Sequence, residues 1–231
     1  MTNSYYSRIK DFQAKITYYA KEIFKVYGNE LQLCLEDYNL LAHKDNCLES
    51  STAFGYLIEE FLVSKLEIFS LNHTDADYVI KRAKGSATAS SYDCFSVIGG
   101  LKALVNIKAD KRNNNAIAAI NKLYADYVLS EQIKCYLVLK VHYSIKISER
   151  DGKRKIFIDE VSSFFLEEID FSGGHKQDHR NWSAKFNANS GRLQATDMFR
   201  QQNKVPEQNI SYENTRAMLE CIYNNNLSAR A

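Results

Sequence analysis

Gly99 and Gly100 stand side by side between two apolar runs, CFSVI and LKALVNI, and no other pair in the chain dictates as much about its fold. Paired glycines supply the positive φ of a two-residue hairpin turn, so the flanking runs are expected to fold back on each other as antiparallel strands. The turn sets the register: Ile98 opposite Leu101, Phe95 opposite Leu104 and Asp93 opposite Asn106. Directly opposed side chains share a face, about 4.5–5.5 Å apart at Cβ. A step of two returns to that face, which brings Lys108 to Asp93 and Asn106. The other face, with Cys94, Ile98, Leu101, Ala103, Val105 and Ile107, is apolar enough to pack on helices. A hairpin that carries an acid, an amide and a lysine into an apolar sheet points to a site.

Tyr92-Asp93, a gap of twelve residues, then Asn106-Ile107-Lys108 resembles the motif of the PD-(D/E)xK nucleases, the family of most type II restriction endonucleases. Two positions depart from it: Tyr92 replaces the proline, and Asn106 replaces the second acid. A minority of restriction enzymes in that family carry Asn or Gln there. The likeness covers about residues 52 to 147. It implies a restriction-endonuclease-like core, a mixed central β-sheet with a catalytic hairpin and flanking helices. It also implies Mg²⁺ as cofactor, double-stranded DNA as partner and a homodimer that cuts both strands of a short symmetric site. A helix before the hairpin often adds an acid in the pattern Gly-x-x-x-Glu-x-x-Leu, which Gly55, Glu59 and Leu62 match.

At 231 residues and 45% apolar content, the chain is long enough for one substantial core. A net charge of +2 says little by itself. Its distribution says more, because residues 81–112 carry seven basic against two acidic side chains and residues 171–204 carry six against two. Five cysteines without a CxxC pair imply neither a disulfide framework nor a zinc ribbon, and with no apolar signal core at the start the expected location is cytoplasmic. No apolar run reaches the roughly 18–20 residues of a membrane span.

In chain order, Tyr5, Ile9, Phe12, Ile16, Tyr19, Ile23 and Val26 recur at helical steps and predict an amphipathic helix closed near Gly28. A second helix is expected from Asn29 to about Ala42. Tyr5, Tyr6, Tyr18 and Tyr19 are core aromatics on the simpler reading, or a dimer or DNA surface on the other. A third helix starts near Ser51 or Thr52, with Phe54, Leu57, Phe61, Leu62 and Leu66 as its buried stripe. Lys81, Arg82 and Lys84 lie in a basic stretch suited to phosphate contacts, or to a plain solvated connection. A helix after ADKRNNN has the stripe Ile117, Ile120, Leu123, Tyr124 and Tyr127. The run KCYLVLKVHYSIKIS then reads as a strand that turns at Asp151-Gly152 and returns as IFIDEV.

Residues 171–206 are poor in aliphatics and rich in Asn, Gln, His and Arg, the types that hydrogen-bond base edges. Arg180, Asn181, Lys185, Asn187, Arg192 and Gln194 are the candidates for reading DNA, against a plain polar loop. His175, Asp178 and His179 have a spacing that also suits a metal site, but only on a helix that Gly173-Gly174 makes doubtful. The organisation expected is a single domain: a helical preface over 1–50, a catalytic core over 51–170, the polar segment over 171–206, and a C-terminal helix and tail over 207–231, with the helix near 211–223.

The chemistry follows from the phosphodiester, whose attack by water builds negative charge and needs a cation beside it. The resemblance makes Asp93, Asn106, the Ile107 backbone carbonyl and Glu59 the Mg²⁺ ligands, and Lys108 the group that holds or deprotonates water. Read only as structure, the same residues are a buried Asp93–Lys108 ion pair, an arrangement that seldom stabilises a fold. Two other readings stay open: a repair or mobile-element nuclease of the same fold, and a non-catalytic DNA-binding protein with a degraded site.

Overall fold

The computed structural model describes residues 4–28, 30–31, 51–72, 78–84, 89–111, 116–172, 182–183 and 191–228. Helix α1, Ser4–Tyr27, ends where Gly28 takes φ 86°, the left-handed cap that glycine permits. Strand β1, Glu30–Leu31, follows where a second helix is expected. Leu31 pairs with Ile156 and Glu30 with Phe157, so the sheet recruits these residues for its edge. The rest of the expected helix lies outside the described residues.

Helix α2, Ser51–Asn72, is apolar nearly all round, so periodicity alone cannot say which side faces inward. The side that packs carries Phe54, Ile58, Leu62 and Leu66 at steps of four, with Val63, while Leu57 is exposed. The expected stripe is corrected at Leu57, and Val26, past the core at the end of α1, is likewise exposed. Of the aromatics in α1, Tyr19 is core, Tyr5 and Tyr6 are half-buried and Tyr18 is exposed.

Strands β2 (Lys81–Arg82), β3 (Cys94–Ile98), β4 (Leu101–Asp110), β6 (Lys134–Ile147) and β7 (Arg154–Phe165) complete a six-stranded sheet in the order β1-β7-β6-β4-β3-β2. The β3–β4 hairpin has the register set by the glycines: Ile98 opposite Leu101 and Phe95 opposite Leu104. Gly99 and Gly100 have φ of 51° and 84°. Strands β4 and β6 are parallel, and every other pair is antiparallel, so the sheet is mixed. The β6–β7 hairpin turns at Gly152, with φ 69°, and its Asp151 Oδ1 accepts from the Lys153 N–H.

Between the parallel strands lie β5 (Ala116–Ala119) and α3 (Ile120–Tyr127). The sequence predicts one helix there. Its first turn is instead a strand because β9 (Arg192–Gln194) pairs with it, and β8 (Trp182–Ser183) adds a third strand. A long-range partner overrides local helical spacing in such a case. Part of the polar segment expected as a loop is therefore a small sheet, followed by the short helix α4, Asp197–Gln202, and by α5, Tyr212–Ser228.

One face of the large sheet, with Cys94, Ala103, Val105, Ile107 and Val141, packs on α1 and α2. Leu104, Tyr136 and Val138 on the other face pack with α3, β5, β9 and α5. Helices on both faces of a mixed sheet make this an α/β protein. Because α1 lies within the first core, it is part of the domain's packing and not an appendage. No helix among the described residues is long and apolar enough to cross a membrane.

Candidate active site at the free edge of β4

Strand β4 runs on to Asp110, but its neighbour β3 begins only at Cys94, opposite Val105. Beyond Val105 the edge of β4 loses its strand partner, and the N–H groups of Ile107 and Ala109 need other acceptors. Two acids supply them. Asp93, just before β3, accepts the Ile107 N–H at 2.6 Å through Oδ2, and Glu59 of α2 accepts the Ala109 N–H at 3.1 Å through Oε1. A residue in a strand points its N–H and C=O to the same edge. The Ile107 carbonyl therefore lies on the edge between the two capped N–H groups, flanked by two carboxylates. Each acid uses one oxygen on the strand, and among the described residues its second oxygen has no hydrogen-bond partner.

Glu59 reaches this edge because of Gly55, one turn earlier in α2. A Cβ on Gly55 would stand 2.8 Å from the Ala109 carbonyl oxygen, closer than real contacts allow. Glycine lets helix and strand approach, and the approach delivers the carboxylate to the Ala109 N–H. The Gly-x-x-x-Glu spacing thus has a packing cause.

Burial lifts the pKa of Asp93, and the nearby Lys108 charge and the Ile107 N–H pull it part of the way back. Glu59 is raised in the same way, with Lys108 again the largest opposing influence. Lys108 thus acts on both acids at once, half-buried on the same strand. The three residues form one electrostatic unit that the fold holds at some cost, since burial disfavours the ionised acids.

Asn106 is different. Its amide Nδ2 donates to the Ile117 carbonyl at 2.6 Å and to the Tyr136 hydroxyl at 3.0 Å, and Tyr136 donates in turn to the Ser91 carbonyl. The side chain is 3% exposed and ties β4 to β5 and β6. Its nitrogen is thus occupied in joining the sheet to the crossover.

Among the basic candidates, Lys81 and Lys84 are exposed. Arg82 forms an ion pair with Glu60 at 2.6 Å, and both belong to the charge environment of Asp93. Arg192 is exposed and Gln194 half-buried on β9. Arg180, Asn181, Lys185 and Asn187, like His175, Asp178 and His179, lie outside the described residues.

Among the described residues no group of three or more His, Cys, Asp or Glu stands ready for a metal. The donor set at the β4 edge is smaller: two carboxylates and a carbonyl oxygen. That set suits Mg²⁺, which takes one or two carboxylates and fills the rest of its octahedron with water and phosphate oxygens. No protein-family model matches this sequence, and no curated protein matches it.

Proposed function

We propose that the protein is a Mg²⁺-dependent endonuclease that hydrolyses phosphodiester bonds of double-stranded DNA, in the manner of a type II restriction enzyme and as a homodimer. The observation that carries this reading is the capping of the free β4 edge by Asp93 and Glu59 beside Lys108. Glu59 offers the second carboxylate that the strand itself lacks at Asn106. Asp93, Glu59 and the Ile107 carbonyl would hold the cation, which when bound supplies positive charge against the phosphate. Lys108 offsets charge on the attacked phosphate and holds or takes the proton of the attacking water. Lys81 and Lys84 contact flanking phosphates, and Arg180, Asn181, Lys185, Asn187, Arg192 and Gln194 read bases. Arg82 serves the phosphates only if it leaves Glu60.

A second reading has its own support. Asn106 stands where an acid is the rule, and its amide nitrogen is engaged in bonds to Ile117 and Tyr136, as in a DNA-binding protein that has lost catalysis. One experiment separates the two: incubation with plasmid and phage DNA in Mg²⁺ and in EDTA. Discrete fragments that depend on Mg²⁺ are expected. Retarded but uncut DNA would establish the second reading, and neither binding nor cutting would end both.

A further inference from the structure

Lys108 has a neighbour that the hairpin motif does not include. In the parallel ladder of β4 and β6, Lys108 is the register partner of Lys140, and Lys140 in turn is opposite Ser162 of β7. Two lysines in directly paired positions on one face repel each other, and the third residue of the row is neutral. Lys140 is also nearly buried, with its side chain 4% exposed. A buried ammonium beside another cation calls for an anion.

The anion in place is a weak one. Lys140 Nζ lies 3.4 Å from Asp197 Oδ1, its only ion pair among the described residues. The same oxygen lies 2.6 Å from Arg200 Nη2, so Asp197 is held more closely by the arginine. Asp197 opens α4, where Thr196 Oγ1 accepts the Phe199 N–H at 3.0 Å, and its own side chain is 44% exposed. The guanidinium of Arg200 stacks 3.8 Å from the Phe164 ring, which pins it over the sheet on the same side as Lys140. Lys108, Lys140 and Arg200 therefore gather three positive charges, with one exposed, shared carboxylate on the last two.

We propose that Lys140 is a second phosphate-holding residue of the Lys108 site, paired with Asp197 in the free protein and handed to the sugar-phosphate backbone of bound duplex DNA by exchange of counter-ions. A phosphate arriving at Lys108 comes to the end of a cationic row that continues inward to Lys140. Asp197 stays bound to Arg200 when it gives up Lys140, so the exchange leaves no carboxylate unpaired. The inference rests on reading this face as a nucleic-acid surface.

The test is equilibrium binding of a labelled duplex in Ca²⁺, over a series of salt concentrations, by wild type, Lys140→Met, Lys140→Arg and Asp197→Asn. Removing one phosphate contact lowers the slope of log K against log salt by about 0.9, which is the change expected for Lys140→Met, with Lys140→Arg restoring it. Asp197→Asn removes the competitor and is expected to tighten binding by up to about fivefold, the scale of an exposed ion pair. A merely structural ion pair gives the opposite result for Asp197→Asn, weaker binding with a lower melting temperature, and that would overturn the proposal. So would an unchanged slope in a folded Lys140→Met. If the wild type binds DNA and Lys140→Met is unaffected, this inference alone fails; if the wild type binds no duplex, the nucleic-acid reading fails with it.

Discussion

Two places in the molecule use a carboxylate to satisfy the backbone, and they differ in what surrounds it. At the β4 edge, Asp93 and Glu59 accept strand N–H groups next to a lysine. In the interior, Glu167 Oε1 accepts the Tyr136 N–H at 2.9 Å and the Tyr127 hydroxyl at 2.7 Å, with Tyr5 at 3.4 Å. Burial raises the pKa in both places. The edge acids face a cation and are half-exposed, whereas Glu167 is 2% exposed among tyrosines and is pushed up to about 8. The same hydrogen-bonding device thus serves beside a lysine, on partly exposed side chains, at one end of the sheet, and among buried tyrosines, where burial favours the neutral acid, at the other. Partial exposure and a neighbouring lysine set the edge acids apart from Glu167.

The largest expected effect sets these two places apart by activity. Lys108→Ala and Asp93→Asn should each lower Mg²⁺-dependent cleavage by at least about a hundredfold, the scale of a lost acid–base group. Asp93→Asn should leave the melting temperature unchanged or slightly higher, because the amide oxygen still caps Ile107 and an acid whose charged form burial disfavours is gone. Glu167→Gln should cut DNA normally at pH 6. If Glu167→Gln is as inactive as Asp93→Asn, the distinction between the two places collapses.

Next in size is a difference in pH dependence. Glu167 ionises at its ordinary 4.5 in the unfolded chain and near 8 in the fold. Between these values the folded state binds more protons, so this residue's contribution to stability is complete at low pH and is lost as pH rises towards 8. The slope is at most about 1.4 kcal/mol per pH unit. Thermal melts from pH 5 to 9 should show that decline in wild type and a shallower one in Glu167→Gln. Equal slopes in the two proteins would show that Glu167 does not carry the buried proton.

The smallest effect sharpens the account of how Glu59 is delivered. Gly55→Ala places a methyl group 2.8 Å from the Ala109 carbonyl, and forcing α2 away should cost about 1–3 kcal/mol, the range for overpacking. Cleavage should fall further than stability explains, since Glu59 moves with the helix. A destabilised Gly55→Ala with full activity at low temperature would show that Glu59 is dispensable to the site.

The hairpin, its register from Leu101 to Val105 and the nearness of Asp93 to Lys108 were legible from the chain, because two glycines and alternation of side chains are local rules acting over a few residues. The expected place of Asp93 opposite Asn106 was not, since β3 begins at Cys94 opposite Val105 and Asp93 instead caps the Ile107 N–H. Helix α1 was legible too, as its apolar spacing and closing Gly28 agree. The resemblance singled out Glu59, and the reason it reaches the β4 edge, the close passage of Gly55 over Ala109, belongs to two elements far apart in the chain. Other features had no local signal. The β4 and β6 runs are apolar and buried on both faces, so their pattern does not set the register of a parallel pair; only packing put Lys140 beside Lys108. The first turn of the expected helix at Ala116 became a strand because β9 was there to pair with it. Asn106 reads as a site residue in its motif, yet Ile117 and Tyr136, brought in by the crossover, engage its amide. Local rules determined which groups the chain can present along one strand. Tertiary contacts decided their partners, since a buried polar atom bonds with whatever the fold brings within reach.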